Sequence, residues 1–266
     1  MTKVIQINSG MPGLGYADIP RETISVLVAY NLIPQLLSQR VIESAMSTTG
    51  YANAPIICTP AETSHSLEQF YQHWDLTTEE QIQNWCLRYC LNQEQLELLA
   101  TRKLRVEKFK QITWGHQIES YFLQRKRYLD RVIYSLIQTD NKSIANELFF
   151  RIAEAESSFA ELAREYSQGS EADRCGIIGP VEFGSMTPNF AQLLYTSQVG
   201  VVQPPVAFGN SWVIVRVEKI ISAQLDDFMR QRLLQEKFED WFQQQLYQLS
   251  PEEQIWMGIN SKSAQL

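Results

Sequence analysis

The stretch "GIIGPVEFGSMTPNFAQLL", residues 176–194, places Gly176, Gly179 and Gly184 in a loop and then opens a helix at Thr187-Pro188. Proline suits a first helical turn, where its missing amide would have no partner anyway. Met186 and Phe190 stand four residues apart around that opening. On residue types alone such a pair is core, because apolar side chains at that spacing line one helix face. What surrounds the stretch decides otherwise.

Downstream lie "VVQPPVAF" (201–208), a short strand, and "SWVIVRVEKI" (211–220), the clearest strand in the chain. Upstream, "RVIYSLIQ" (131–138) is β-branched and aromatic, with the turn signal "TDNKS" behind it. A helix over about 142–155 follows, then another opened by the capping box Ser158–Glu161 in "SFAELAREYS". Texture changes at Asp130 and again at Ser222. Before Asp130 the pattern is helical. Ile24, Leu27, Val28, Leu32, Leu36, Val41 and Ala45 recur at helical spacing, with Pro34 predicted to kink the run. Thr59-Pro60 with Glu62, Thr77 with Glu80, and Asn92 predict three further helix starts. Residues 1–20 read as an irregular arm and "TGYANAPIIC" as a loop. After Ser222 one last helix carries Leu225, Phe228, Met229, Leu233, Phe238, Trp241, Phe242 and Leu246, a face too aromatic to stand in water and expected to dock on the N-terminal helices.

The fold class expected is α+β: a unit with a small mostly antiparallel sheet, flanked by an α-helical domain that the C-terminal helix completes. The expected domains are 1–129, helical; 130–221, with the sheet; and 222–266, the C-terminal helix. Composition agrees with a globular chain of 266 residues, 44% hydrophobic and 20% charged. A net charge of −7 gives no basic footprint for nucleic acid. No apolar run reaches membrane-spanning length, and "MTKVIQINSGMPGLGYADIP" lacks the apolar core of a secretory signal. The expected compartment is the cytoplasm. Cys58, Cys86, Cys90 and Cys175 read as reduced thiols, and with His65, His73 and His116 they match no metal-ligand spacing. No metal or cofactor is expected.

The order strand, two helices, glycine loop, short helix, strand, strand over 130–221 resembles the parvulin family of peptidyl-prolyl cis-trans isomerases, or rotamases. The resemblance is carried by "FAELAREYS" (159–167), "GIIGPVEFGSM" (176–186), "PNF" (188–190) and "VIVRVE" (213–218). The flanking helices resemble those of the long parvulin-type folding factors, whose helical chaperone domain is completed by the chain's end.

The resemblance implies an apolar receptacle for the substrate proline at Ile178, Met186 and Phe190, where the family has Leu, Met and Phe. A rigid apolar ring needs a shaped apolar wall more than hydrogen bonds. The family's two facing histidines fall on Tyr134 and on Trp212, or on Val213 if the strand slips by one residue. Its Cys/Asp position falls on Gly169; Cys175 lies six residues beyond. Tyr134 and Trp212 are thus the candidate catalytic positions. Tyr134 supplies either a hydroxyl or an inward-facing aromatic, and Trp212 more naturally fills the space of a lost histidine. The histidine pair and its Cys/Asp neighbour are expected to be missing. Three functions remain open: isomerisation of proline-containing polypeptide clients with an altered polar site, a peptide-binding chaperone module that uses the same pocket without turnover, and a structural relic. The retained Met and Phe argue against the relic. Arg164 and Arg174, set among Glu165, Glu171 and Asp173, form no cluster to select phosphorylated substrates.

Overall fold

The computed structural model describes residues 21–49 and 55–259. The arm at 1–20 and the middle of the loop at 49–58 lie outside the described residues. Helices α1 (Arg21–Ala29) and α2 (Ile33–Thr48) are separate. Asn31, at φ 54°, ends the first in the left-handed region, and Pro34 sits in the first turn of the second. Proline therefore starts a helix here and kinks none. Helix α3 (Pro60–His73) has the expected Thr59–Glu62 capping box. Helix α4 (Glu79–Tyr89) starts one residue later than expected: Thr78 caps it, and Gln81, not Glu80, closes the box. Gln81 also accepts from the amide and the hydroxyl of Thr77, at 2.7 and 3.0 Å. Asn92 caps α5 (Gln93–Trp114), and α6 (Ile118–Leu129) follows.

The sheet begins with β1 (Arg131–Thr139), then α7 (Lys142–Ala153) and α8 (Phe159–Tyr166), the latter with the expected Ser158–Glu161 box. Part of the glycine loop is a strand, β2 (Ile177–Glu182), before α9 (Pro188–Thr196), β3 (Val206–Phe208) and β4 (Ser211–Ile221). The strand order is β2-β1-β4-β3 and every pair is antiparallel. The fold is α+β. Pro180 is tolerated in β2 because that strand is an edge. The "VVQPPVAF" strand is shorter than expected: its first half makes one bridge, Val202 to Arg216. The C-terminal part holds two helices where one was expected, α10 (Asp227–Leu246) and α11 (Pro251–Trp256). Leu225 precedes α10, and Phe228 is 77% exposed, so the apolar face begins later than the spacing suggests. Among the described residues no helix is long and apolar enough to cross a membrane.

Two compact units divide the chain: Met1–Ile118 with Arg230–Leu266, and Glu119–Met229. In the first, Phe109 and Trp114 pack with Phe238 and Trp241, the ring centroids of Phe109 and Trp241 lying 5.0 Å apart. Arg105 forks onto Glu43, bridging α5 to α2. The second unit is larger than the sheet segment because Asp130 ties its edges inward. Its Oδ1 accepts from Lys126 Nζ at 2.9 Å and from the Ala223 amide at 2.7 Å. The end of α6 and the residues leading into α10 are held with the sheet in this way.

Side chains alternate across β1 and β4, as a period of two requires. Val132, Tyr134 and Leu136 join Val213, Val215 and Val217 in one buried cluster with Phe183, Phe190 and Leu194. Ile137 and Ile214 point the other way and are covered by Leu148 of α7 and by Phe159, Leu162 and Ala163 of α8.

Candidate functional site

Phe190 reaches the first of these faces from α9. It is 9% exposed, its ring edge-on to Tyr134 at 5.6 Å between centroids and tilted against Phe208 at 5.2 Å. Ile178 faces Tyr134 across the β1–β2 ladder, and both Ile178 and Met186 are half-buried against the same cluster. The three residues expected to receive a proline ring therefore converge with Tyr134 on one partly covered apolar surface. A bulge in the β1–β4 ladder falls at Ile133 and Tyr134, and such irregularities re-aim side chains next to sites. Gly176 and Gly179 permit the close approach of this loop to β1. A Cβ on Gly176 (φ 83°) would stand 2.8 Å from the Leu136 carbonyl oxygen, and one on Gly179 (φ 115°) 2.5 Å from that of Val132.

Trp212 is not on this surface. It pairs with Thr139 on the opposite side of the sheet, and its ring lies beneath Lys142 Nζ, 4.9 Å from the centroid. Val213, 2% exposed, takes the inward position, so strand alternation fixes the one-residue alternative that the sequence left open. Phe208, 42% exposed, is a wall of the surface that sequence reasoning missed. The structure explains its place: it lies two residues from Val206, which pairs with the inward Val213, so strand alternation puts both on one face.

The polar part is not empty either. Glu171 is buried at 6% exposure, and Ser167 Oγ donates to its Oε1 at 2.5 Å. The Gln138 amide donates in turn to Ser167 Oγ at 2.9 Å. The Gly176 amide donates to the Glu171 carbonyl, and the Leu136 amide to the Gly176 carbonyl, each at 2.8 Å, which fastens this loop to β1. Burial, with the Glu171 charge adding to it, pushes the Tyr134 phenol above its ordinary value. Glu171 stands two residues past Gly169, on which the family's Cys/Asp position falls. Cys175 is in the left-handed region at φ 55° and accepts from the Arg164 guanidinium at 3.0 Å. Among the described residues no group of three or more His, Cys, Asp or Glu is arranged to hold a metal ion.

Residues 136–219 match the rotamase family described as the PPIC-type PPIASE domain. The chain carries a parvulin-type rotamase domain. Among proteins similar to it, the chaperone SurA of Alkalilimnicola ehrlichii is 34% identical over 136 residues, 46% of this chain and 31% of that one. The foldase protein PrsA of Caldanaerobacter subterraneus subsp. tengcongensis is 24% identical over 201 residues, 75% of this chain and 60% of that one. The chain thus spans about a third of that SurA and somewhat under two thirds of that PrsA. A solved structure of peptidylprolyl isomerase PrsA from Bacillus cereus is similar over 93% of this chain and 89% of that one, with a TM-score of 0.47 and 18% identity.

Proposed function

We propose that this protein is a peptidyl-prolyl cis-trans isomerase acting on proline-containing segments of polypeptide, through its rotamase domain. The observation that carries the proposal is the convergence of Ile178, Met186 and Phe190 with Tyr134 on one partly open apolar surface. The reaction needs no covalent step. The barrier to turning a peptide bond, roughly 18–20 kcal/mol, comes from amide resonance, and an enzyme lowers it by binding the twisted amide better than the planar one. The apolar wall would seat the proline ring and strip water from the bond. Tyr134 carries an O–H donor close to that wall. The prolyl nitrogen gains a usable lone pair only as resonance is lost, so a hydrogen bond to it is made in the transition state and not before. This gives Tyr134 a role that needs no histidine.

The alternative is a chaperone module that binds the same segments without turnover. Trp212 on the far face of the sheet favours it, because that leaves one candidate polar strand residue, Tyr134, at the surface instead of two. One experiment separates them: isomerisation of a proline tetrapeptide in a protease-coupled assay and binding of the same peptide, both on one preparation of the full chain. Rate enhancement establishes the enzyme. Binding without it establishes the chaperone module, and absence of both removes the proline site. The four cysteines are free, which supports a reducing compartment and hence the cytoplasm; fractionation of tagged protein tests this.

A further inference from the structure

We infer that the cleft between the end of α6 and the start of α9 is a subsite for a carboxylate side chain next to the substrate proline, and that Arg127 selects it. This rests on the proposed reading of the proline surface and adds the chemistry of the proline's neighbour. Met186 joins the two places. It packs against the apolar cluster that carries Phe190, and it also lines the cleft together with Tyr128, Pro188 and Gln192. Consecutive Cα atoms are only about 3.8 Å apart, so a residue beside a proline seated on Met186 has the cleft within reach of its side chain. The cleft encloses about 270 Å³. Pockets for whole small molecules begin near ~300 Å³, so this one suits a single side chain.

The charge at the cleft says which kind. Among the described residues that line it, Arg127 alone is charged. Two neutral groups hold its guanidinium: the Tyr195 ring, whose centroid is 4.2 Å away, and Gln192 Oε1, which accepts a hydrogen bond from it. Tyr195 packs edge-on against Phe183, which is 2% exposed and belongs to the apolar cluster. These contacts orient Arg127 without neutralising it. Among the described residues no carboxylate pairs with it, whereas its neighbour Lys126 is taken up by Asp130 at 2.9 Å. A guanidinium carries five N–H donors in a rigid fork that matches a carboxylate, and Gln192 uses one of them. Gly184 lets the end of α6 come this close: a Cβ there would stand 3.0 Å from the Tyr128 carbonyl oxygen. Arg127 also lies outside residues 136–219, the part that matches the rotamase family. Selection by Arg127 is therefore something the helix before the sheet adds to the domain.

The test uses the full chain and labelled peptides that differ at one residue, Glu or Gln. That residue stands immediately before the proline in one pair and immediately after it in a second. Fluorescence anisotropy gives each Kd, and a protease-coupled assay follows turnover. In one of the two pairs the Glu peptide should bind about twofold to fivefold tighter, the range of a partly exposed ion pair. The ratio should shrink as salt is raised. Arg127→Gln should bring the ratio to one by weakening the Glu peptide, and Arg127→Glu should reverse it in favour of a Lys peptide. A merely structural Arg127 would affect all the peptides alike. Equal affinities for Glu and Gln in both pairs overturn the inference and leave the proline surface standing, as does a preference that persists in folded Arg127→Gln. If no proline peptide binds, whatever residue flanks the proline, the reading of the proline surface fails and the subsite falls with it. Peptides that bind without turnover remove the isomerase proposal alone, and the Kd ratios still decide the subsite.

Discussion

The two faces of the sheet are built from alternate residues of the same two strands, yet they are finished differently. On one, Ile137 and Ile214 lie completely buried beneath α7 and α8, with Phe159 at 2% and Leu162 at 1% exposure. On the other, Tyr134, Val213 and Val215 are buried just as well, but their cover is shorter and ends in half-buried Ile178 and Met186 and exposed Phe208. Helices seal the first face. The second is sealed by one short helix and a glycine loop, and its remaining apolar edge is only partly covered. The first face is closed, and the second keeps the apolar edge on which the proposed binding would occur.

The same substitution on the two faces tests that difference. Phe159→Ala should destabilise the sheet-containing unit by about 3–5 kcal/mol, the usual cost of emptying a closed aromatic site. Phe190→Ala should cost less, about 2 kcal/mol, because water can enter the space left beside Phe208. It should nevertheless abolish peptide binding, whereas folded Phe159→Ala should still bind. Denaturant unfolding and peptide titration at low temperature measure both. Equal stability costs would mean that the second face is an ordinary core. Met186→Ala, at a half-buried position, guards against the case in which Phe190→Ala fails to fold: it should weaken binding with little change in unfolding.

Trp212 and Val213 sharpen the comparison to a single residue step. Trp212→Ala should leave peptide binding and turnover unchanged. Its stability cost should include about 0.5–1 kcal/mol for the lost Lys142 contact. Loss of turnover in a folded Trp212→Ala would return that residue to the site and contradict the face assignment.

That step also marks how far the sequence was legible. Elements with strong local signals stood out: the Thr59, Asn92 and Ser158 capping boxes, the β-branched runs of β1 and β4, and the proline that opens α9. Ile178, Met186 and Phe190 were singled out by the family resemblance, since on residue types alone Met186 and Phe190 read as core, and the structure brings the three to one cluster. Features decided by tertiary geometry were not legible. β2 has Gly176 just before it and Gly179-Pro180 within it, a loop signal, and it forms a strand by pairing with β1. Whether residue 212 or 213 points inward depends on register, which a bulge elsewhere in the ladder can shift. Glu171 needed the three-dimensional path of its loop, because its carboxylate reaches back over Gly169. Pro34 and Thr77 were errors of one turn or one residue at helix starts, where local signals overlap.

The smallest effect on stability belongs to the Tyr134 hydroxyl, and it separates that group's electrostatics from its packing. Burial and the Glu171 charge hold the folded-state phenol above its ordinary value. Below that ordinary value, near ~10, both folded and unfolded chains carry the proton and the linkage is silent. Above it the unfolded chain releases the proton while the folded chain keeps it, so the folded state binds more protons and stability falls with rising pH until the folded value is passed. Tyr134→Phe deletes this titration but keeps the ring against Phe190. The variant should therefore match the wild type in unfolding free energy near neutrality, apart from a small constant offset, and lose less stability as the pH is raised beyond 10. Peptide binding should be unchanged, while kcat, which loses its transition-state donor, should fall on the order of 100-fold. Parallel stability curves at alkaline pH would show that the phenol titrates as freely in the folded chain as in the unfolded one, and that the second face holds Tyr134 for its ring alone.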